Sequence, residues 1–204
     1  MSPQPSGAPA GPDGAALSVR READGLWLSG ARRVPSPNCD DRPPGAAIEL
    51  VVLHGISLPP GRFGTGAVEA LFTNRLAADA HPCFQDVARL RVSSHLYIDR
   101  AGGLVQFVPL ERRAWHAGDS RFAGRARCND FSLGIELEGA DDIPYAPAQY
   151  RTLRRVLTGL RRAWPVLGPG RVVGHSQIAP GRKTDPGAAF DWARVGAWLA
   201  EPAA

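Results

Sequence analysis

The chain has 204 residues, of which 44 % are hydrophobic and 22 % charged, with a formal charge of +4 and a pI of about 9.4. That balance fits one globular domain with a tail; no apolar run approaches the ~20 residues a membrane-spanning helix needs. Three cysteines, Cys39, Cys83 and Cys128, cannot all pair and form no CxxC, which excludes a disulfide scaffold and favours a reducing compartment.

Residues 1–22 are rich in Pro, Gly and Ala and are expected to form a disordered tail, leaving residues 23–204 as a single domain. The segment has no basic start followed by an apolar stretch, so no secretory signal peptide is expected. Residues 35–45 form a Pro-rich lead-in. Residues 48–53 (IELVVL) predict a buried strand ended by His54 and Gly55. Residues 66–78 predict a helix with Val68, Leu71 and Phe72 on one face. Strands over 92–98 and 104–108, joined by the turn DRAGG, predict a hairpin. Residues 133–138 alternate, with Leu133, Ile135 and Leu137 on one face and Gly134, Glu136 and Glu138 on the other. Pro147 opens a helix to Trp164 with Leu153, Val156, Leu157 and Leu160 inward and five arginines outward. Residues 171–174 predict a short strand ending at His175, and 190–199 a closing helix. Interspersed strands and helices give an α/β (α+β) domain with a central mixed sheet flanked by helices.

Five histidines are present, and two share a local setting: His54 follows LVVL and His175 follows RVVG. In α/β sheets ligand sites gather at strand carboxyl ends, so both are placed to meet there. Asp185, in the loop KTDPG, is ten residues beyond His175 and could fold back toward it. Two imidazoles and a carboxylate make a common zinc set with one position open, although a buried, hydrogen-bonded core role fits each histidine as well. A glutamate of the 133–138 strand could act as a base; Glu138 fits a solvated outer face equally well. Lys183 is the single lysine among 24 basic residues, which suggests that position 183 needs a compact ammonium. Structural roles are expected for His81 and His95, and His116 could line a pocket with Trp115. The cysteines read as small buried hydrophobes.

Long segments carry a resemblance. ARRVPSPNCDDRPPG, LVVLHGISLPPGRFGTGAVEALFT, HPCFQDVARLRVSSHLYI, RRAWHAGDSRF, RCNDFSLGIELEG and GHSQIAPGRKTDPGAAFDW resemble the bacterial AmpD family of 1,6-anhydro-N-acetylmuramyl-L-alanine amidases. That family lies within the zinc N-acetylmuramoyl-L-alanine amidase and peptidoglycan recognition protein superfamily. The resemblance implies the superfamily's zinc amidase fold and one Zn²⁺ per chain on His54, His175 and Asp185. It implies Glu136 as general base, Lys183 as the oxyanion's partner, and Arg91, Trp115 and Arg127 as substrate contacts. It also implies a cytoplasmic monomer that hydrolyses soluble muropeptides in peptidoglycan recycling, with neither nucleic acid nor membrane as partner. One departure stands out: relatives commonly carry asparagine where Gly55 follows the first histidine. Two other readings stay open, a wall-lytic or periplasmic amidase and a non-catalytic muropeptide sensor. A nucleic-acid binder is suggested only by the pI and the arginine-faced helix, which a solvated helix face explains as well.

Overall fold

A computed structural model describes residues 17–202 of the chain. The elements run β1 (Val19–Glu22), β2 (Gly25–Leu28), β3 (Arg32–Arg33), β4 (Cys39–Asp40), β5 (Leu50–Ile56), α1 (Ala67–Phe72), α2 (Phe84–Val87), β6 (Leu96–Ile98), β7 (Leu104–Gln106), β8 (Arg113–Ala114), β9 (Arg121–Phe122) and β10 (Arg125–Ala126). A 3₁₀ turn at Cys128–Asp130 leads into β11 (Ser132–Glu138), α3 (Pro147–Ala163), β12 (Val172–Gly174), α4 (His175–Ile178) and α5 (Trp192–Ala200).

Six strands form the main sheet in the order β12-β5-β11-β6-β7-β3. Strands β12, β5, β11 and β6 run parallel, β7 is antiparallel to β6, and β3 is parallel to β7. The sheet is therefore mixed, as the sequence predicts, and β6–β7 is the expected hairpin. Side chains alternate across its faces. Val51, Leu53, Leu133, Ile135 and Leu137 face one layer, where they meet Leu153, Val156, Leu157 and Leu160 of α3 and Val195 and Leu199 of α5. Leu50, Val52 and Val173 face the other layer, with Ala117, Cys128, Phe131 and Ile178. A third cluster seats α1 and α2 against Tyr97 and Phe107.

Helix α3 starts as predicted at Pro147, whose fixed φ and missing N–H suit a first helical position. Gln149 ties it to the sheet, accepting from the Ala146 N–H and donating to the Ile98 and Glu138 carbonyls.

The structure corrects several expectations. The tail ends earlier than residue 22: Leu17 is buried, and β1 pairs with β2 along Val19–Leu28. The rest of the expected tail, residues 1–16, lies outside the described residues. Strand β5 does not stop at His54 but carries His54 and Gly55 inside it, because pairing with β11 continues to Ile56. Helix α1 ends at Phe72, and the chain turns at Asn74 with a φ of 59°. The strand expected over 92–98 is only Leu96–Ile98: the His95 N–H still reaches the Gly134 carbonyl of β11, but the Ser93 N–H donates to the Trp115 carbonyl, off the main sheet. The strand expected over 104–108 stops at Gln106, and the closing helix starts at Trp192. Glu138 is buried rather than solvated, its carboxylate accepting from the Gly64 and Arg100 N–H groups. The thiols form no disulfide; Cys128 is buried, while Cys39 and Cys83 are only half-buried.

Candidate metal centre

Strand register assembles the site. Glu136 on β11 stands opposite His54 on β5, and Gly174, the last residue of β12, stands opposite Leu53. His175 follows Gly174 and opens α4, so it emerges level with His54 at the carboxyl ends of parallel strands. The loop after α4 returns Asp185 to the same point, fixed by the Ser176 N–H donating to the Asp185 carbonyl at 3.0 Å.

His54 Nδ1, His175 Nδ1 and Asp185 Oδ2 form a near-equilateral triangle with sides of 3.0, 3.1 and 3.1 Å. Among the described residues these are the His, Cys, Asp and Glu side chains grouped as metal donors. The spacing is close to the edge of a tetrahedron with metal–ligand bonds of about 2.0–2.1 Å. Proton accounting points the same way. His175 Nε2 faces the Ala117 carbonyl at 3.2 Å, which can only accept, so the contact favours the tautomer with its hydrogen on Nε2 and a lone pair on Nδ1. Asp185 Oδ2 is an acceptor as well. At most one proton is shared among three converging atoms, and a cation satisfies all three. Burial lowers the pKa of His54 to about 4, which keeps it a neutral imidazole ready to ligate. Two nitrogens and one carboxylate oxygen suit zinc with a fourth position open.

Glu136 is the nearest acid beyond the triangle, with Oε1 4.0 Å from His54 Nδ1. Its Oε2 is buried and has no hydrogen-bond partner. Burial raises its pKa well above the ordinary carboxylate value; the Asp185 charge adds to this and the Lys183 ammonium opposes it. Lys183 is itself exposed, and its backbone N–H is held by the Ala179 carbonyl.

The residues expected to touch substrate lie on a neighbouring network. Trp115 Nε1 donates to Asp40 Oδ1 at 3.1 Å, Arg113 bridges Asp40 and Asp130, and Asp130 pairs with the exposed Arg127 at 3.2 Å. Arg91 is exposed on the segment leading to Ser93, which exchanges hydrogen bonds with Trp115. His95 has the structural role expected of it, accepting from the Gly134 N–H and facing the Arg112 carbonyl at 2.9 Å. His81 lies 3.0 Å from the Cys83 thiol in an exposed loop.

Three contributors escape sequence reasoning. His116 does not merely line a wall: its Nδ1 lies 3.0 Å from His54 Nε2. Arg182 donates to the Ala117 and Asp119 carbonyls, clamping the segment on which His175 leans. Tyr145 donates to the Pro186 carbonyl at 2.9 Å, bracing the residue after Asp185. No spacing rule links these positions, which are brought together only by the fold. Tyr145 also accounts for the departure at Gly55, since a Cβ there would collide with the phenol oxygen. Tyr145→Phe keeps the ring among Tyr150 and Phe190 but orphans a buried carbonyl. It is expected to lower stability by about 1–3 kcal/mol, read as a lower urea midpoint at unchanged slope.

The sequence pattern described as N-acetylmuramoyl-L-alanine amidase matches residues 44–188. The chain is 55 % identical over 168 residues to a 1,6-anhydro-N-acetylmuramyl-L-alanine amidase, AmpD, of Escherichia coli K12, covering 82 % of this chain and 91 % of that protein. A crystal structure of a selenomethionine AmpD derivative superposes with a TM-score of 0.82 at 53 % identity, covering 85 % of this chain and 96 % of that one. The Escherichia coli amidase AmiD, solved in complex with the substrate anhydro-N-acetylmuramic acid-L-Ala-D-γ-Glu-L-Lys, matches with a TM-score of 0.55 at 27 % identity, over 77 % of this chain and 60 % of that one.

Proposed function

The chain belongs to the N-acetylmuramoyl-L-alanine amidase family, and from that premise we propose that it is a zinc amidase of peptidoglycan recycling that cleaves the amide between 1,6-anhydro-N-acetylmuramic acid and L-alanine. The observation that carries this reading is the triangle of His54, His175 and Asp185 beside the unpartnered carboxylate oxygen of Glu136.

His54, His175 and Asp185 would hold one zinc ion. Bound there, zinc supplies a Lewis acid for the amide carbonyl and a water acidified from a pKa of about 15.7 toward about 7. Glu136 takes the proton of the attacking water through its free oxygen; its raised affinity for that proton suits it to keep it and pass it on. As the C–N bond breaks, Glu136 returns the proton to the alanine nitrogen. Lys183 faces the carbonyl oxygen as negative charge develops on it. Arg91 and Arg127 offer guanidinium forks to the stem-peptide carboxylates, and Trp115, oriented by Asp40, offers a face for the anhydro sugar. None of these steps needs a covalent acyl-enzyme.

Lys183→Ala is expected to lower kcat about 10²–10³-fold with zinc content unchanged, as loss of one oxyanion partner does elsewhere. Lys183→Arg should recover part of that loss, because charge is kept and shape is not; full activity in the alanine variant would remove Lys183 from the mechanism, and full activity in the arginine variant alone would show that the compact ammonium is not required.

A non-catalytic sensor is disfavoured because metal donors, acid and amine are all present. Among the described residues no helix is long and apolar enough to cross a membrane. The unpaired thiols fit the cytoplasmic setting proposed here, in which a monomer acts on soluble muropeptides rather than on intact wall. The direct test is hydrolysis of an anhydromuropeptide by the purified chain, with and without a chelator and with zinc restored. Activity that survives complete removal of metal would overturn the reading, and cleavage of intact sacculi in preference to anhydromuropeptide would favour a wall-lytic enzyme.

A further inference from the structure

We infer that His116 is a positioning residue for the metal: through Ser132 and the Cys128 carbonyl it holds His54 in the tautomer whose bare Nδ1 turns toward His175 and Asp185. The inference rests on the zinc reading above and extends it to residues that touch neither the ion nor the substrate.

The chain of donors has one direction. It ends at the Cys128 carbonyl, which can only accept, and the Ser132 hydroxyl donates to it at 2.6 Å. With its hydrogen committed, Ser132 Oγ presents lone pairs to His116 Nε2 at 3.2 Å, so Nε2 is the donor. Among the described residues no carboxylate is hydrogen-bonded to either ring nitrogen of His116, so no partner of the ring calls for a second hydrogen. Its Nδ1 is therefore an acceptor, and the atom it faces at 3.0 Å, His54 Nε2, supplies the hydrogen. A neutral His54 with hydrogen on Nε2 has a free lone pair on Nδ1. Both histidines of the triangle are thus prepared alike: His175 by the Ala117 carbonyl, His54 by His116.

The fold fixes this relay rigidly. Ser132, Gly134 and Glu136 share one face of β11, and they stand opposite Leu50, Val52 and His54 on β5. The His116 ring sits over Gly134, where a Cβ would lie 2.5 Å from its Cγ. Only glycine at 134 leaves the imidazole room between Ser132 and His54. The backbone of the ring's own segment is held by Asn129 Oδ1, which accepts from the His116 and Ala117 N–H groups at 3.2 and 2.8 Å. Ala117 is the residue whose carbonyl orients His175, so a single turn of chain sets the tautomers of both imidazoles. A partner that fixes the tautomer of a ligating histidine commonly carries 10–100-fold in metal affinity.

The test measures zinc affinity of the full chain by competition with a chromogenic chelator, beside the long-range ¹H–¹⁵N spectrum of its imidazoles. His116→Leu keeps bulk but offers no acceptor, and its zinc affinity is expected to fall about 10–100-fold. His116→Asn places an amide oxygen near the lost Nδ1 and is expected to recover most of that affinity. The zinc-loaded wild type is expected to show His116 as the Nε2–H tautomer. Equal zinc affinity in the leucine variant, an equal loss in the asparagine variant, or a wild-type His116 carrying its hydrogen on Nδ1 would each overturn the relay. The wild-type spectrum decides even where a variant does not fold. A wild type that binds no zinc brings down the zinc reading and the relay together, whereas a zinc-binding wild type with an unaffected leucine variant brings down the relay alone.

Discussion

Glu136→Gln is expected to lower kcat on an anhydromuropeptide about 10²–10⁴-fold while the purified variant still carries one zinc per chain. Glutamine nearly preserves the shape of glutamate and can still orient a water, but it cannot hold the water's proton. The two halves of the result separate a base from a ligand. Glu136 lies 4.0 Å from His54 Nδ1, outside the 3.0–3.1 Å triangle, so its loss leaves all three donors in place. The effect should fall on kcat and kcat/KM together, because the proton moves only on the way to the transition state. Near-normal turnover with zinc bound would exclude Glu136 as the base, and loss of zinc would show that it belongs to the metal shell.

Asp185→Ala should give the opposite pattern, with zinc lost on dialysis and activity at the level of chelator-treated wild type. Asp185 is the one anionic member of the three residues that could hold the ion, and the other two offer imidazole nitrogens, that of His54 in a ring held neutral by burial. Two neutral nitrogens in a site shaped for three donors hold the ion far less tightly, by more than the ~10–100-fold that loss of a supporting partner costs. The loop itself should survive, since the Ser176 bond to it runs through the Asp185 carbonyl and the Tyr145 bond through the Pro186 carbonyl. Metal analysis after dialysis, with circular dichroism to confirm the fold, checks the outcome; tight retention of zinc would remove Asp185 from the donor set.

The features legible in the sequence were those that depend on strand period and strand ends. The apolar runs before His54 and His175 announce buried parallel strands, and such strands deliver the residues at their carboxyl ends to one edge of a sheet. The alternation at 133–138 places Glu136 across from the Leu133–Ile135–Leu137 face. Choosing between Glu136 and Glu138 is beyond the pattern, because both lie on one face and both are buried. Their difference is in partners: each oxygen of Glu138 accepts from a backbone N–H group, while Glu136 keeps a free oxygen. The hairpin of β1 and β2 was hidden because VRRE has one apolar residue in four; its order comes from pairing with GLWL and from the Leu17 carbonyl closing on Gly159 of α3. His116 was hidden for a different reason. Its role depends on a neighbour 62 positions away and on the hydroxyl of Ser132, and no local spacing encodes a hydrogen bond between residues so far apart.

The pairing of β5 with β11 has a consequence for how this protein can change. Inserting or deleting one residue within either strand turns every later side chain of that strand to the opposite face. An insertion ahead of Glu136 would drive its carboxylate into the aliphatic layer under α3, and one ahead of His54 would turn that imidazole into the same layer. A change of length in a connection outside the sheet carries no such penalty of parity, provided that it spares the packed helices α1 and α2, whereas the two central strands admit no change of length.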